Sequence, residues 1–178
     1  MQIRAIGISG NINRDKTTIQ YMKSEISKIK NIILQNHNTD GDYWLYSGNN
    51  FIYEILDGFD ENDWNHLKND LNTWKDFEHS IFSRAILNYN IDKTISKVDI
   101  YEIFFTEFIL QTDLEDADCQ IEDVMYVQNI KNPSLQFLNQ VKEKIQILSN
   151  YNLTTNSTES FENAKKYVER VISKRHYR

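Results

Sequence analysis

The sequence predicts an all-α protein in which about seven or eight helices pack as successive antiparallel hairpins, in a single domain spanning residues 1–178. Apolar residues between Phe51 and Leu87 fall into three runs with spacings of three and four, which place each run on one face of a helix. No glycine follows Gly58, and glycine-poor chains rarely form the tight turns of β-hairpins. A chain of 178 residues, 40% of them hydrophobic, is long enough to bury a core without disulfides or metals.

The chain begins with an ambiguous segment that is followed by an amphipathic helix. Residues 1–12 contain isoleucines separated by glycines and fit either an irregular arm or a frayed helix start. From Asp15 onward, apolar side chains at helical spacing predict a helix of about five turns. Residues 43–45 are then expected to form a short helical or irregular piece. The apolar face of the long helix consists of Ile19, Met22, Ile26, Ile29 and Ile33.

The three helices predicted between residues 51 and 88 each have a candidate capping residue. Asn49 or Asn50 is placed to cap the first helix, because a short polar side chain can accept a hydrogen bond from a free backbone N–H. Asp60 is expected to cap the second helix, and Thr73 the third. With such short connections, the three helices are predicted to be antiparallel neighbours.

The C-terminal half of the chain is predicted to contain four helices. Residues 98–111 are apolar almost all round, which is typical of a buried central helix. Residues 113–127 predict a second helix, with an apolar face made of Leu114, Ala117, Ile121, Val124 and Met125. A third is expected to carry Pro133 in its first turn, where a missing N–H does no harm. The last helix is expected to be capped by Ser157 or Thr158.

Composition indicates a cytoplasmic protein. Cys119 is the one cysteine, so no disulfide can form within the chain, which fits a reducing compartment. The N-terminal apolar run is short and broken by glycines, unlike a secretory signal. No stretch approaches the roughly 20 apolar residues that a membrane-spanning helix needs.

No residue pattern predicts catalysis or a cofactor. The four histidines form no His-x-x-x-His pair, and no serine lies in a Gly-x-Ser-x-Gly turn. Cys119 lies among acidic residues, which disfavour a nucleophilic thiolate. The acidic segment 113–123 resembles a calcium loop in charge but lacks its glycine, so a solvated or partner-facing helix side is favoured over a metal site. Trp64 and Trp74 fall at or beside apolar runs and are predicted to lie in the core.

The negative charge is concentrated in two stretches of the chain. The net charge is −6, and residues 98–130 contain nine acidic residues with no lysine or arginine. Residues 31–67 contain seven acidic residues, again without lysine or arginine. Such surfaces repel nucleic acids and membrane phosphates but attract basic proteins and speed their encounter. We therefore expect a basic protein partner, with no nucleic acid and no membrane.

The order of elements in residues 51–127 resembles a known class of helical proteins. An apolar helix ends in an acidic turn (LDGFDENDW), and a Trp-bearing stretch follows (LNTWKDFEHSIFSRAIL). A buried aromatic helix then leads into clustered acids (FFTEFILQTDLEDADCQIEDVMYV). This layout is similar to that of helical immunity proteins from bacterial polymorphic-toxin systems, including contact-dependent and type VI systems. The resemblance implies a small, cytoplasmic, non-catalytic protein that binds and blocks a cognate toxin, and a nuclease is one candidate for that toxin.

The resemblance implies that acidic and aromatic surface positions face the toxin. A helical scaffold or adaptor with another basic partner is the first alternative, and a metal-dependent enzyme that uses clustered carboxylates is the second. The predicted toxin-binding residues comprise a first group, Asp113, Glu115, Asp116, Asp118, Glu122 and Asp123, and a second group, Asp57, Asp60, Glu61 and Asp63.

Overall fold

The computed structural model describes residues 25–90, 98–151 and 156–175. These ranges contain nine α-helices and no strand, in a single compact arrangement, so the predicted all-α class is confirmed. The count is higher than the expected seven or eight, and two of the nine have five residues or fewer. The irregular arm predicted for residues 1–12 lies outside the described part of the chain.

The first half of the described chain is helical with short interruptions. Helix α1 covers 25–36 within the described residues. A short α2 runs directly through a π-helical segment into α3, so these three form one continuous helical stretch. The remaining bounds are α2 Gly41–Tyr43, a π-helical segment Trp44–Gly48, α3 Asn49–Leu56, α4 Glu61–Asp70, a 3-10 turn Leu71–Thr73 and α5 Asp76–Leu87.

The second half is built around α6, whose side chains Phe104, Phe105 and Phe108 have no solvent exposure. Helix α6 packs against α5 and against α8, which covers Leu135–Asn150. It also packs against the 3-10 turn Leu71–Thr73 and a second 3-10 segment, Ile121–Asn129, which confirms the prediction of a central buried helix. Helix α9 packs on the second 3-10 segment and on α8. Packing as successive antiparallel hairpins stays a prediction. The bounds are α6 Ile100–Leu110, α7 Leu114–Asp118, a 3-10 segment Ile121–Asn129, α8 Leu135–Asn150 and α9 Thr158–Arg175.

The predicted caps are right for two helices. Asp60 accepts hydrogen bonds from the backbone N–H groups of Asn62 and Asp63, and the Asp63 side chain accepts one from the Asp60 N–H in return. At the start of α9, the Ser157 side chain accepts a hydrogen bond from Ser160 N–H at 3.2 Å.

The caps predicted for the first and third of the three helices between residues 51 and 88 are wrong. Asn49 and Asn50 lie inside a continuous helical stretch, which Asp40 caps at its true start through Tyr43 N–H. Thr73 instead closes a 3-10 turn by donating to the Asp70 carbonyl oxygen. Because helical hydrogen bonding continues past residue 48, the asparagine side chains have no free N–H groups to cap.

Two further expectations about the second half are corrected. Pro133 lies before α8 rather than in its first turn, because Ser134 occupies the capping position and accepts a bond from Phe137 N–H. Residues 113–127 do not form one α-helix. They divide into α7 and the 3-10 segment, with Cys119 and Gln120 in the turn between them.

The core contains most of the predicted apolar positions. Trp64 and Trp74 are both buried, as predicted. Phe51 and Met125 were assigned to apolar faces but are 51% and 40% exposed, so these two assignments are wrong. Within the described ranges, no helix has both the length and the apolar character required to cross a bilayer.

Candidate functional site

A concentration of exposed and half-buried negative charge lies on α7 and the 3-10 segment that follows it. Asp113 caps α7 by accepting hydrogen bonds from Glu115 N–H at 3.0 Å and Asp116 N–H at 3.2 Å. Asp113, Glu115 and Glu122 are exposed, whereas Asp116 and Asp123 are half-buried. We call these five residues the α7 surface.

One basic side chain of α5 approaches the α7 surface. Arg84 partly offsets the raised pKa of both Asp116 and Asp123, but no nitrogen of Arg84 lies within 4 Å of either carboxylate in the described structure. Burial raises the pKa of Asp116, with further contributions from Asp113 and Asp76. Burial and the neighbouring Glu122 raise the pKa of Asp123. The five carboxylates therefore retain a net negative charge that one arginine does not neutralise.

Asp118 does not belong to the α7 surface. Its side chain is fully buried, and neither carboxylate oxygen has a hydrogen-bond partner in the described structure. The backbone carbonyl oxygen of Asp118 accepts a bond from Asn156 Nδ2 at 2.6 Å, which ties the end of α7 to the start of α9. Asp118 is therefore removed from the predicted toxin-binding residues, because a buried carboxylate does not contact a partner.

The second acidic group lies between the end of α3 and the first turn of α4, beside a groove of about 880 Å³ that we call the α4 groove. Asp60 and Asp63 use their side chains to cap α4, and burial raises the pKa of Asp63. Asp57 accepts a hydrogen bond from the Tyr89 hydroxyl at 2.8 Å. Glu61 is exposed. Three of these four residues line this α4 groove; Asp63 does not.

Sequence reasoning missed the opposite wall of the α4 groove, which the start of α6 provides. Asp99 caps α6 and also accepts a hydrogen bond from Lys131 N–H at 2.7 Å. Glu102 pairs with Lys68 at 2.7 Å. Asp99 precedes a strongly apolar run, which is a sequence signal for a capping residue that the pattern analysis passed over. Because Lys68 and Lys131 line the same groove, its negative charge is more balanced than that of the α7 surface.

A buried polar pair lies between α5 and α6. His79 Nδ1 and Glu107 Oε2 are hydrogen-bonded, and both side chains are buried. Burial raises the pKa of Glu107 to about 7, against the opposing effect of His79, and Glu78 raises it further. The second oxygen of Glu107 has no hydrogen-bond partner in the described structure. The pair lines neither acidic surface, so it is part of the packing rather than of the binding site.

Further polar side chains extend this buried region towards α8. Gln120 Nε2 donates to Ser83 Oγ at 3.0 Å and to Gln111 Oε1 at 3.4 Å. Lys144 of α8 donates to the Gln111 backbone carbonyl oxygen, and burial lowers the pKa of this lysine. Asp76 faces the same region and accepts two bonds from Thr112 at 2.6 Å each. Side-chain hydrogen bonds therefore link α5, α6 and α8 to the turn that follows α7.

The two acidic groups supply no metal-ion site in the described part of the chain. Across the residues that the structure describes, no three histidine, cysteine, aspartate or glutamate side chains converge in a way that could hold an ion. This agrees with the roles seen above, since several of the carboxylates are already engaged as helix caps.

The chain was compared with protein-family models, with curated proteins and with solved structures, and none of the three comparisons gives a match.

Proposed function

We propose that this protein is a non-catalytic immunity protein that binds a cognate toxin in the cytoplasm and neutralises it through the α7 surface. The observation that carries this proposal is a cluster of five carboxylates in or near solvent, approached by one arginine and paired with no cation within 4 Å in the described structure. The resemblance of residues 51–127 to helical immunity proteins is consistent with this role. The packing of the helices as successive hairpins is part of the same proposal.

The physical argument is electrostatic complementarity. Unpaired carboxylates at a surface raise the encounter rate with a basic protein and favour one orientation of approach. A toxin that cleaves nucleic acid has a basic site built for phosphate groups, and an acidic surface can occupy that site in place of the substrate. The α7 surface suits this role better than the α4 groove, where Lys68 and Lys131 offset the acidic side chains.

The test is a charge reversal at the two exposed glutamates that do not cap a helix. The double variant Glu115→Lys, Glu122→Lys changes the net charge by +4 while leaving the Asp113 cap in place. The matched control, Glu143→Lys with Glu162→Lys, makes the same change at exposed positions of α8 and α9.

The proposal predicts a toxin domain encoded beside this protein, and affinity for that domain is measured by calorimetry at low salt. We expect the α7 double variant to bind at least tenfold more weakly and the control to stay within about twofold. Circular dichroism confirms that both variants remain folded. Equal affinity for the wild type and the α7 variant would remove the α7 surface from the proposal.

The adaptor alternative rests on the same unpaired charge but predicts a different phenotype. An immunity protein restores growth to cells that express the neighbouring toxin domain, whereas an adaptor does not. Growth of cells that express both proteins therefore separates the two functions. Toxicity that persists when both proteins are present would favour the adaptor.

A further inference from the structure

An aromatic groove of about 430 Å³ lies next to the α7 surface. The π-helical segment, α5, the start of α6 and the second 3-10 segment each contribute to it. Its volume is near the lower end of the range for ligand sites and is sufficient for one or two large side chains. Its apolar walls are formed by Trp44, Leu45, Ile81, Leu87, Tyr101 and Tyr126.

The position of Trp44 in the groove wall depends on a glycine that destabilises the helical segment. A Cβ atom at Gly48 would lie 2.5 Å from Trp44 Cε3 and 2.7 Å from Tyr43 Cε1, so only glycine leaves room for these two rings. Glycine weakens a helix relative to alanine. The Trp44–Gly48 segment is also π-helical, a rare geometry that is frequent at functional sites. Both features hold Trp44 in a position that helix stability alone would not select.

The side chains of the aromatic groove are those that dominate protein interfaces. Trp44 packs edge-on against Tyr43 at 5.3 Å, and Tyr101 stacks on Tyr126 at 6.0 Å between ring centroids. Trp and Tyr provide large, rigid contact areas and are enriched among the residues that contribute most to binding energy. Leu45, at 66% exposure, is among the most exposed apolar side chains of the described chain.

The charges around the groove specify the kind of partner. Asp123 belongs both to the groove lining and to the α7 surface, so the two are continuous. Arg84, the one basic residue in the lining, lies near Asp116 and Asp123. Arg84 and Asp123 balance within the lining, the excess of negative charge lies on the adjoining α7 surface, and the walls are apolar. A partner segment that complements this groove and the α7 surface therefore carries a large apolar side chain beside lysine or arginine.

We propose that the aromatic groove is the anchor site of the partner interface, and that it receives one apolar or aromatic side chain of the basic protein whose flanking lysines or arginines contact the α7 surface. This inference rests on the proposed function. It goes further by naming the kind of partner side chain that becomes buried in the interface. The α7 surface then contributes the speed and orientation of encounter, and the groove contributes much of the affinity.

The experiment uses two acetylated and amidated tripeptides, Lys-Phe-Lys and Lys-Ser-Lys, which carry the same charge. Binding to the ¹⁵N-labelled full chain is followed through the three tryptophan indole N–H signals, each assigned with a Trp→Phe variant. Trp64 and Trp74 are buried, whereas Trp44 is half-buried and lines the groove. We expect Lys-Phe-Lys to bind at least tenfold more tightly than Lys-Ser-Lys and to shift the Trp44 signal selectively.

Leu45→Ser tests the groove without disturbing the fold, because this side chain is mostly exposed. It should weaken Lys-Phe-Lys binding at least fivefold and leave Lys-Ser-Lys unchanged. The control Leu34→Ser changes an exposed leucine outside the groove and should affect neither peptide. Gly48→Ala is a second variant, expected to displace Trp44 and to weaken Lys-Phe-Lys binding as well.

Equal affinities for the two tripeptides, or an unshifted Trp44 signal at saturation, would overturn the groove as an anchor site. That result is distinct from failure of the proposed function, which is decided by the charge-reversal experiment on the toxin domain. If charge reversal weakens toxin binding while Leu45→Ser does not, the acidic surface stands and the groove is excluded.

Discussion

Replacing Glu107 with glutamine should change how stability depends on pH. Glu107 is buried between α5 and α6, and its pKa rises from 4.5 to about 7, chiefly because burial penalises the ionised form. A carboxyl whose pKa is higher in the folded state holds its proton more tightly there than in the unfolded chain. Its contribution therefore lowers stability as pH rises from about 4.5 to about 7, and the cost is complete above that range.

The size of the effect follows from these two pKa values. The raised pKa of Glu107 lowers the free energy of unfolding by about 2 kcal/mol more at pH 8 than at pH 5.5. Glutamine has nearly the same shape, remains able to hydrogen-bond His79 and does not titrate. The stability of Glu107→Gln relative to the wild type should therefore rise by about 2 kcal/mol between pH 5.5 and pH 8.

The assay is urea unfolding followed by tryptophan fluorescence at both pH values, since Trp64 and Trp74 are buried and report on the core. Glu54→Gln, at an exposed position of α3, is the control and should show a difference of less than about 0.5 kcal/mol at either pH. A stability difference between Glu107→Gln and the wild type that stays constant with pH would show that Glu107 does not titrate in this range.

Three other substitutions test the fold and the charged surface. Asp60→Ala removes the cap of α4 and should cost about 1 kcal/mol in thermal or urea unfolding, whereas Asn62→Ala in the same turn should cost less than half of that. Phe82→Ala removes a fully buried ring and should destabilise the protein by about 3–5 kcal/mol, while Phe51→Ala at a half-exposed position should cost less than about 1 kcal/mol. Because the pKa of Asp123 is raised, affinity for the proposed toxin should weaken on acidification at a higher pH than an ordinary aspartate would cause. Calorimetry of Asp123→Asn should show a smaller pH dependence, and equal pH dependence would exclude Asp123 from the interface.

The helix class and the central position of α6 were predictable because apolar spacing reports directly on burial. The 3-10 segment was missed although its signal is present in the sequence. Ile121, Val124, Val127 and Ile130 recur at intervals of three and are all buried, which matches three residues per turn. Grouping Met125 with this face assumed the spacing of an α-helix. The consequence was one predicted helix where the chain forms α7 and a separate 3-10 segment.

The charged side chains were harder to place. Asp118 and Asp116 are two positions apart in an acidic run, yet one is fully buried and the other half-exposed. Residue type alone assigned both to the surface. His79 and Glu107 are separated by 28 positions, and their contact depends on how α5 packs on α6. Local spacing carries no information about such a pair.

The packing of α9 on the 3-10 segment affects when the acidic site can form during synthesis. Phe161, Ala164 and Val168 are the buried side chains of α9, which is synthesised after residues 121–129. In a nascent chain that ends before α9, the apolar side chains of the 3-10 segment that contact α9 stay exposed. The carboxylates of that segment are then not held in position. Under the proposed function, a newly made molecule would therefore bind its partner only when α9 has docked. Truncations that remove α9 should abolish binding even though every residue of the α7 surface is retained.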